Sequence, residues 1–280
     1  MAEESNESNE NQLKRPCDDD HPPAPPPTAP TRQPPPPSTF DNAMPVDVLF
    51  DKMVRVVVGV EPNERTFEIH KGLITFSSGY FNTALNGRYA TEAVPQTLTL
   101  KIEDPKLFEL YQSWLYTRYF RAPAPGPKGP CVQVTFEELV RLWDFGQRYH
   151  IPLLQNYASD LVIQKVGIEW MGPGSSAVRY AYAVTPVDSK LRKLLIDLLG
   201  MTGGAVGTLT AADRTEQTSA YPREVLVDLL AVVWGPQARR LDQNGVILMD
   251  WCQYHVHEAG VRCNKGPMKA STKASVKKEG

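Results

Sequence analysis

The segment from Phe67 to Gly87 constrains the fold of this chain more than any other, because it joins a strand directly to a helix. Residues 66–69 alternate polar and apolar side chains, as a half-buried strand does. His70 and Lys71 follow without a turn, and large apolar residues then recur at helical spacing as far as Leu85. We therefore predict a strand that ends at His70 and one helix from Lys71 to Leu85.

Composition excludes several classes of partner. The chain has 280 residues with 30 Lys and Arg against 32 Asp and Glu, so its formal charge is −2 and we expect neither a nucleic-acid nor a membrane partner. No apolar run approaches the ~18 residues of a membrane span, and the N-terminus lacks the pattern of a signal peptide. Four scattered cysteines are typical of reduced thiols. We expect an intracellular protein, cytoplasmic or nuclear.

Both ends of the chain have the composition of disordered tails. Residues 1–43 are polar and then rich in proline from Pro22 to Pro37, so they bury too little apolar surface to fold. Such a segment favours the polyproline conformation, which serves as a spacer or as a ligand of an SH3 or WW domain. Residues 264–280 carry five lysines and little that is apolar, and we predict a second disordered tail there.

Three strands are predicted in the first half of the chain. The β-branched run from Met53 to Val60 meets a turn at residues 61–64 and then the strand that ends at His70, which predicts a hairpin. A third strand is expected to place Leu98, Leu100 and Ile102 on one face. The remaining patterns are helical.

Helix starts are indicated by their capping residues. Pro105 follows a capping Asp, Thr135 and Glu138 have the spacing of a capping box, and Pro152 opens a further helix that forms a helical hairpin with the preceding one. Leucine spacing predicts two more helices, over residues 191–199 and 226–233, with a loop at 203–220 between them.

Several short motifs occur together with this order of elements. They are Phe67-x-x-His70-Lys71, Ser77-Ser78-Gly-Tyr-Phe81, Gly87, and Phe108 followed by Trp114-Leu-Tyr116-Thr117. Residues 46–166 resemble a BTB/POZ domain, of the kind found in BTB proteins of filamentous fungi. The resemblance implies an α+β fold, with a small sheet flanked by helices, followed by an all-α extension over residues 167–263. It assigns structural roles to Phe67, His70, Lys71, Ser78, Phe81, Gly87, Trp114 and Tyr116.

The resemblance implies a protein-binding function, as a scaffold or adaptor without catalysis. Domains of this type form homodimers through the first helix and the N-terminal strand region, here residues 71–85 and 46–54. Four side chains are the expected interface: Phe76, Tyr80, Phe81 and Leu85. They are too many large apolar groups for one narrow helix face, so a second chain could bury some of them. Burial in the core of the same chain is the alternative for each.

A second hypothesis within the same family is a substrate adaptor of a cullin-type ubiquitin ligase. Such adaptors carry an apolar-x-Glu signal where a helix begins after a long loop. Here Val134-Thr135-Phe136 has Phe in place of the acid, and Glu138 is already assigned to the capping box. We therefore keep the cullin adaptor as an alternative.

No single residue has the neighbouring groups in sequence that would indicate catalysis. His70 has no nucleophile or carboxylate at motif spacing, and Ser77 and Ser78 lack a Gly-x-Ser-x-Gly elbow, so structural roles are favoured and no enzyme is predicted. Trp114, Tyr116 and Trp143 lie on apolar helical stripes and are expected in the core.

One cluster has the donor types of a zinc site. Cys252, His255, His257 and Cys263 lie close in sequence and satisfy a Cys₂His₂ count, so structural zinc is a possible cofactor and a zinc-dependent binding protein a second alternative. The spacing differs from that of a zinc finger. Cys252 and His255 would share a face of a helical turn, whereas His255 and His257 share one only in extended chain. The alternative is a surface turn that ends the last helix.

Overall fold

The computed structural model describes residues 51–88, 96–121, 132–202, 220–234, 245–246 and 250–257, all within one compact unit. These residues form an α+β fold with one three-stranded mixed sheet and eight α-helices. The predicted tails lie outside the described residues, as do residues 203–219 of the predicted loop. In the described part of the chain, no helix combines the length and the apolar character that crossing a membrane requires.

The sheet is built on the predicted hairpin, which is confirmed. Strands β1 (Met53–Val58) and β2 (Arg65–His70) pair antiparallel, with Val54 opposite Ile69. Strand β3 (Thr97–Leu100) lies parallel on the other side of β1, which is therefore the central strand. A parallel neighbour requires a crossover connection, and the chain between β2 and β3 supplies it. Alternate residues of β1 are buried, as the pattern requires.

The third strand is shorter than predicted. It ends at Leu100, and the backbone N–H of Glu103 donates to the Leu100 carbonyl in a turn. Ile102 lies in this turn and is exposed. The prediction that it shares the strand face with Leu98 and Leu100 is wrong, because the chain must turn here to begin the helix at Pro105.

The prediction of one helix from Lys71 to Leu85 is also wrong. The chain forms two helices, α1 (Lys71–Ser77) and α2 (Gly79–Asn86), because Ser78 between them has extended backbone angles of φ −136° and ψ 121°. The Ser78 hydroxyl accepts a hydrogen bond from the N–H of Phe81 at 3.1 Å and so caps α2. A buried serine favours such local bonding to the backbone over a continuous helix.

The remaining elements are helical, and the predicted starts at Pro105, Thr135 and Pro152 are confirmed. They are α3 (Pro105–Thr117), α4 (Phe136–Arg148), α5 (Pro152–Glu169), α6 (Ser175–Val184), α7 (Lys190–Thr202), α8 (Arg223–Trp234) and a 3₁₀ turn at Trp251–Tyr254. Helix α6 was not predicted individually, because its buried residues Ala177, Val178 and Ala181 are too small to give a strong periodic signal.

Helices α4 and α5 form the predicted hairpin. They approach so closely that a Cβ atom on Gly146 would lie 2.8 Å from Cγ of Gln155. The main hydrophobic core runs from Val54 in β1 to Tyr254 in the 3₁₀ turn. Helix α5 extends across residue 166, so this core includes residues on both sides of the predicted domain boundary.

Candidate interaction surface and Cys/His segment

The predicted interface residues divide into two groups. Phe81 and Leu85 are 0% and 2% exposed and belong to the core, which corrects their assignment to an interface. Their side chains pack inward from α2 against the rest of the fold and cannot meet a second chain. Phe76 is half-buried, and Tyr80 is 44% exposed. The solvent side of residues 72–87, named the uncharged surface below, contains no Asp, Glu, Lys or Arg.

Tyr80 is exposed but held in place by two neighbouring rings. Its ring meets that of Tyr149 edge-on, with centroids 5.0 Å apart, and that of Phe81 at 5.4 Å. Phe81 in turn stacks on Tyr149 with an angle of 7° between the ring planes. A side chain that is already ordered has less conformational entropy to lose on binding a partner. Tyr80 therefore has the properties of an anchor residue.

An ionic network with buried carboxylates holds Tyr149 behind this surface. The Tyr149 hydroxyl donates to Glu103 at 2.9 Å, and Arg148 pairs with Glu103 and, at 3.0 Å, with Asp144. Burial and the adjacent Glu103 raise the pKa of Tyr149, so its hydroxyl stays protonated and donates. Burial also raises the pKa of Tyr180, which donates to Asp144, to about 12. No sequence motif indicated this network, because Glu103 and Arg148 are far apart in the chain.

The motif residues at the start of α1 connect β2 to α3. Nδ1 of His70 lies 2.9 Å from the Tyr116 hydroxyl, which also accepts a hydrogen bond from the backbone N–H of His70 at 3.1 Å. Phe67 packs against Phe108 with ring centroids 4.8 Å apart. Tyr116 is 41% exposed, so its prediction as a core residue is wrong, whereas Trp114 is buried as predicted. His70 and Tyr116 are therefore placed for a structural interaction.

The other motif residues shape the two ends of the helix pair. The backbone N–H of Lys71 donates to the carbonyl of Lys52. The Ser78 hydroxyl donates to the Tyr149 carbonyl at 2.6 Å. Gly87 ends α2, and a Cβ atom there would lie 2.2 Å from the carbonyl oxygen of Thr83, a distance that no side chain tolerates. Each of these contacts fixes the backbone around the uncharged surface.

The segment of the cullin hypothesis begins α4 with the predicted capping box. The Thr135 hydroxyl accepts from the Glu138 N–H, and the Glu138 carboxylate accepts from the Thr135 N–H at 2.8 Å. Arg121 adds two bonds to this carboxylate at 2.9 and 3.2 Å. Burial opposes ionisation of Glu138, but the bonds from Arg121 and Thr135 outweigh it and lower its pKa. A cullin contact through Glu138 would have to break these bonds.

The Cys/His segment is described as far as His257, and Cys263 lies outside the described residues. Sγ of Cys252 lies 3.5 Å from Nε2 of His257, while Nε2 of His255 lies 2.6 Å from Oδ1 of Asp160. The Cys252 side chain therefore contacts the ring of His257, which follows the extended backbone at His255. Among the described residues, no group of three or more His, Cys, Asp or Glu side chains is arranged to hold a metal ion.

Residues 250–257 bind to α5 and α7 through polar contacts. The Asn156 side chain bonds both backbone groups of Val256, at 2.7 and 3.1 Å, and the Tyr254 hydroxyl donates to Asp197 at 2.8 Å. Burial, together with His255 and Lys190, lowers the pKa of His257. This segment therefore completes the helical part of the fold.

No family model matches this chain. A search of the curated proteins likewise found no match. The BTB/POZ resemblance therefore depends on the motif residues and on the order of the elements.

Proposed function

We propose that this chain is a non-enzymatic protein-interaction module of the BTB/POZ type, which binds a second copy of itself through the uncharged surface. The observation that carries the proposal is Tyr80, an exposed and ordered aromatic side chain in a stretch from Gly72 to Gly87 without a single charge. Charged residues are depleted at the core of protein interfaces, and tyrosine is enriched among the residues that dominate binding energy.

The order of the elements supports the family assignment. A hairpin, a third strand, a helix and a helical hairpin follow one another in the order that the resemblance implies, with two short helices after the hairpin where it implies one. The motif residues occupy the junctions between these elements, as the contacts of His70 with Tyr116 and of Ser78 with Tyr149 illustrate. The motifs therefore act together as one set of structural contacts.

Self-association follows from the charge pattern of the surface. In a two-fold dimer the same patch of each copy meets itself, so a charge close to the axis faces its own like charge in the second copy. The uncharged surface avoids this repulsion, and the nearest cations in the chain, Lys71 and Arg88, lie at its two ends. A polar rim around an apolar centre is the usual anatomy of such an interface.

The best candidates for catalytic groups have structural partners, which supports a non-enzymatic function. His70 contacts Tyr116, Ser78 bonds the Tyr149 carbonyl, and His255 pairs with Asp160. A general base needs access to a substrate proton, and His255 is buried.

The experiment that tests this proposal compares Tyr80→Glu with the unaltered protein by size-exclusion chromatography and multi-angle light scattering over a dilution series. Loss of an aromatic anchor costs about 2 kcal/mol or more, which is roughly a 30-fold rise in the dissociation constant. Tyr119→Glu is the matched control, because Tyr119 is also exposed but follows α3. A folded Tyr80→Glu variant with the mass and dilution curve of the unaltered protein would refute the proposed surface.

The cullin-adaptor hypothesis stays a prediction. A pull-down with a cullin N-terminal domain tests it directly. Retention of the unaltered chain on the cullin domain would favour the adaptor over simple self-association.

A further inference from the structure

One side of helix α8 packs against other helices of the same chain. Val225 is buried in a small cluster with Val178 and Ile196. Asp228 accepts a hydrogen bond from the Tyr182 hydroxyl at 2.7 Å. Val232 also faces α7, since a Cβ atom on Gly200 would lie 3.0 Å from its Cγ1. This inner side fixes the orientation of α8.

The opposite side of α8 is apolar and open to solvent. Arg223, Val227, Leu230 and Trp234 are spaced by four, three and four residues, so they form one line along the helix, named the outer stripe here. Val227 is 56% exposed and Trp234 is 79% exposed. A surface helix normally turns polar residues to solvent. The outer stripe instead has one charged residue, Arg223, at one end and a large aromatic at the other.

We propose that the outer stripe binds a second copy of this chain, with the two α8 helices antiparallel about a two-fold axis. The spacing of the four residues, by four, three and four, is the same from either end of the helix. An axis midway between residues 228 and 229 therefore places Val227 opposite Leu230 of the second copy. The same operation places Arg223 opposite Trp234 of the second copy. A closed two-fold interface requires this kind of self-complementarity.

Charge selects the antiparallel arrangement. The guanidinium group of Arg223 meets the indole face of Trp234 of the second copy, and cations are attracted to aromatic faces, most of all to that of Trp. The two Arg223 side chains then lie at opposite ends of the contact, about 16 Å apart at ~1.5 Å of rise per residue. A parallel arrangement would bring Arg223 against Arg223 and Glu224 against Glu224.

This contact is small, so its affinity depends on few residues. Helix α8 has 12 residues and is about 18 Å long. One stripe of that length buries less than the ~1,200 Å² at the low end of stable interfaces. We therefore expect a reversible dimer in which Trp234 is the main anchor. The inference goes beyond the proposed function, because it uses a different element and a different surface.

The test measures self-association of the full chain by sedimentation equilibrium over a dilution series, in a Tyr80→Glu background that removes the other proposed surface. Leu230→Glu and, separately, Trp234→Ala are expected to raise the dissociation constant at least tenfold. Val187→Glu is the matched control, since Val187 is an 84% exposed apolar residue in the turn between α6 and α7. Folded Leu230→Glu and Trp234→Ala variants with unchanged dilution curves, or a monomeric Tyr80→Glu background, would overturn the inference.

A mixing experiment tests the antiparallel register. In a heterodimer of Leu230→Glu with Val227→Lys, the new carboxylate faces the new ammonium group, so the mixture should associate more tightly than either variant alone. A parallel pair brings each residue against its own counterpart and gives no such recovery, so absence of recovery overturns the register.

These assays can refute each of the two proposed surfaces independently of the other. Without the Tyr80→Glu background, loss of association only on Leu230→Glu supports α8 and refutes the uncharged surface, and loss only on Tyr80→Glu does the reverse.

Discussion

Replacement of Ser78 by alanine tests how the chain forms the break between α1 and α2. The Ser78 hydroxyl makes two hydrogen bonds in a fully buried position: it accepts from the Phe81 N–H at 3.1 Å and donates to the Tyr149 carbonyl at 2.6 Å. Ser78→Ala removes both bonds but leaves the chain free to keep its extended conformation at this residue. The substitution therefore isolates the contribution of the hydroxyl.

The expected loss of stability follows from these two bonds. Removal of a serine N-cap costs about 1 kcal/mol. Leaving a buried carbonyl without its donor costs about 1–3 kcal/mol. We expect a total loss of about 2–4 kcal/mol, which corresponds to a fall of roughly 4–16 °C in the melting temperature of a domain of this size.

Urea unfolding monitored by circular dichroism measures this loss. Thr83→Ala is the matched control on α2, because the Thr83 hydroxyl donates to the Gly79 carbonyl from an exposed position and its loss should cost no more than about 0.5 kcal/mol. If Ser78→Ala is no more destabilising than Thr83→Ala, the hydroxyl does not maintain the break, and the argument for it fails.

Two further predictions concern stability. Glu138→Ala should cost about 1 kcal/mol at pH 7, because it removes the capping box at the start of α4. The pKa of Glu138 is lowered in the folded chain, so its stabilisation is present above the ordinary pKa of glutamate and is lost as pH falls through the lower folded value. In urea unfolding, the free energy of unfolding of Glu138→Ala should therefore approach that of the unaltered protein below pH ~4. A gap between the two free energies that stays constant with pH would contradict this assignment. Asp160→Asn should cost about 2 kcal/mol or more, because it removes the charged partner of buried His255. Hydrogen exchange of residues 251–257 should also accelerate, with exposed Asp188→Asn as the control, and protection equal to that of the control would count against the pairing.

The sequence predicted those elements whose signals are local. The hairpin was indicated by β-branched residues on either side of a turn, and the starts of α3, α4 and α5 by capping residues and prolines. Such signals act within four residues, through backbone hydrogen bonds and restricted dihedral angles, so a single sequence contains them. The fully buried residues of helix α6 are small, and the helix therefore gave no comparable signal.

For the interaction surfaces, the sequence by itself determined which residues are apolar, but only the tertiary structure decided which of them face solvent. The sequence pattern does not distinguish among Phe76, Tyr80, Phe81 and Leu85. In the structure the helix that follows the break at Ser78 directs Phe81 and Leu85 into the core and leaves Tyr80 exposed. At that break the Ser78 hydroxyl bonds the carbonyl of Tyr149, which is 71 residues away in the chain. Helical periodicity gives the angle between two side chains but not the direction of the core, and long-range packing alone supplies that direction.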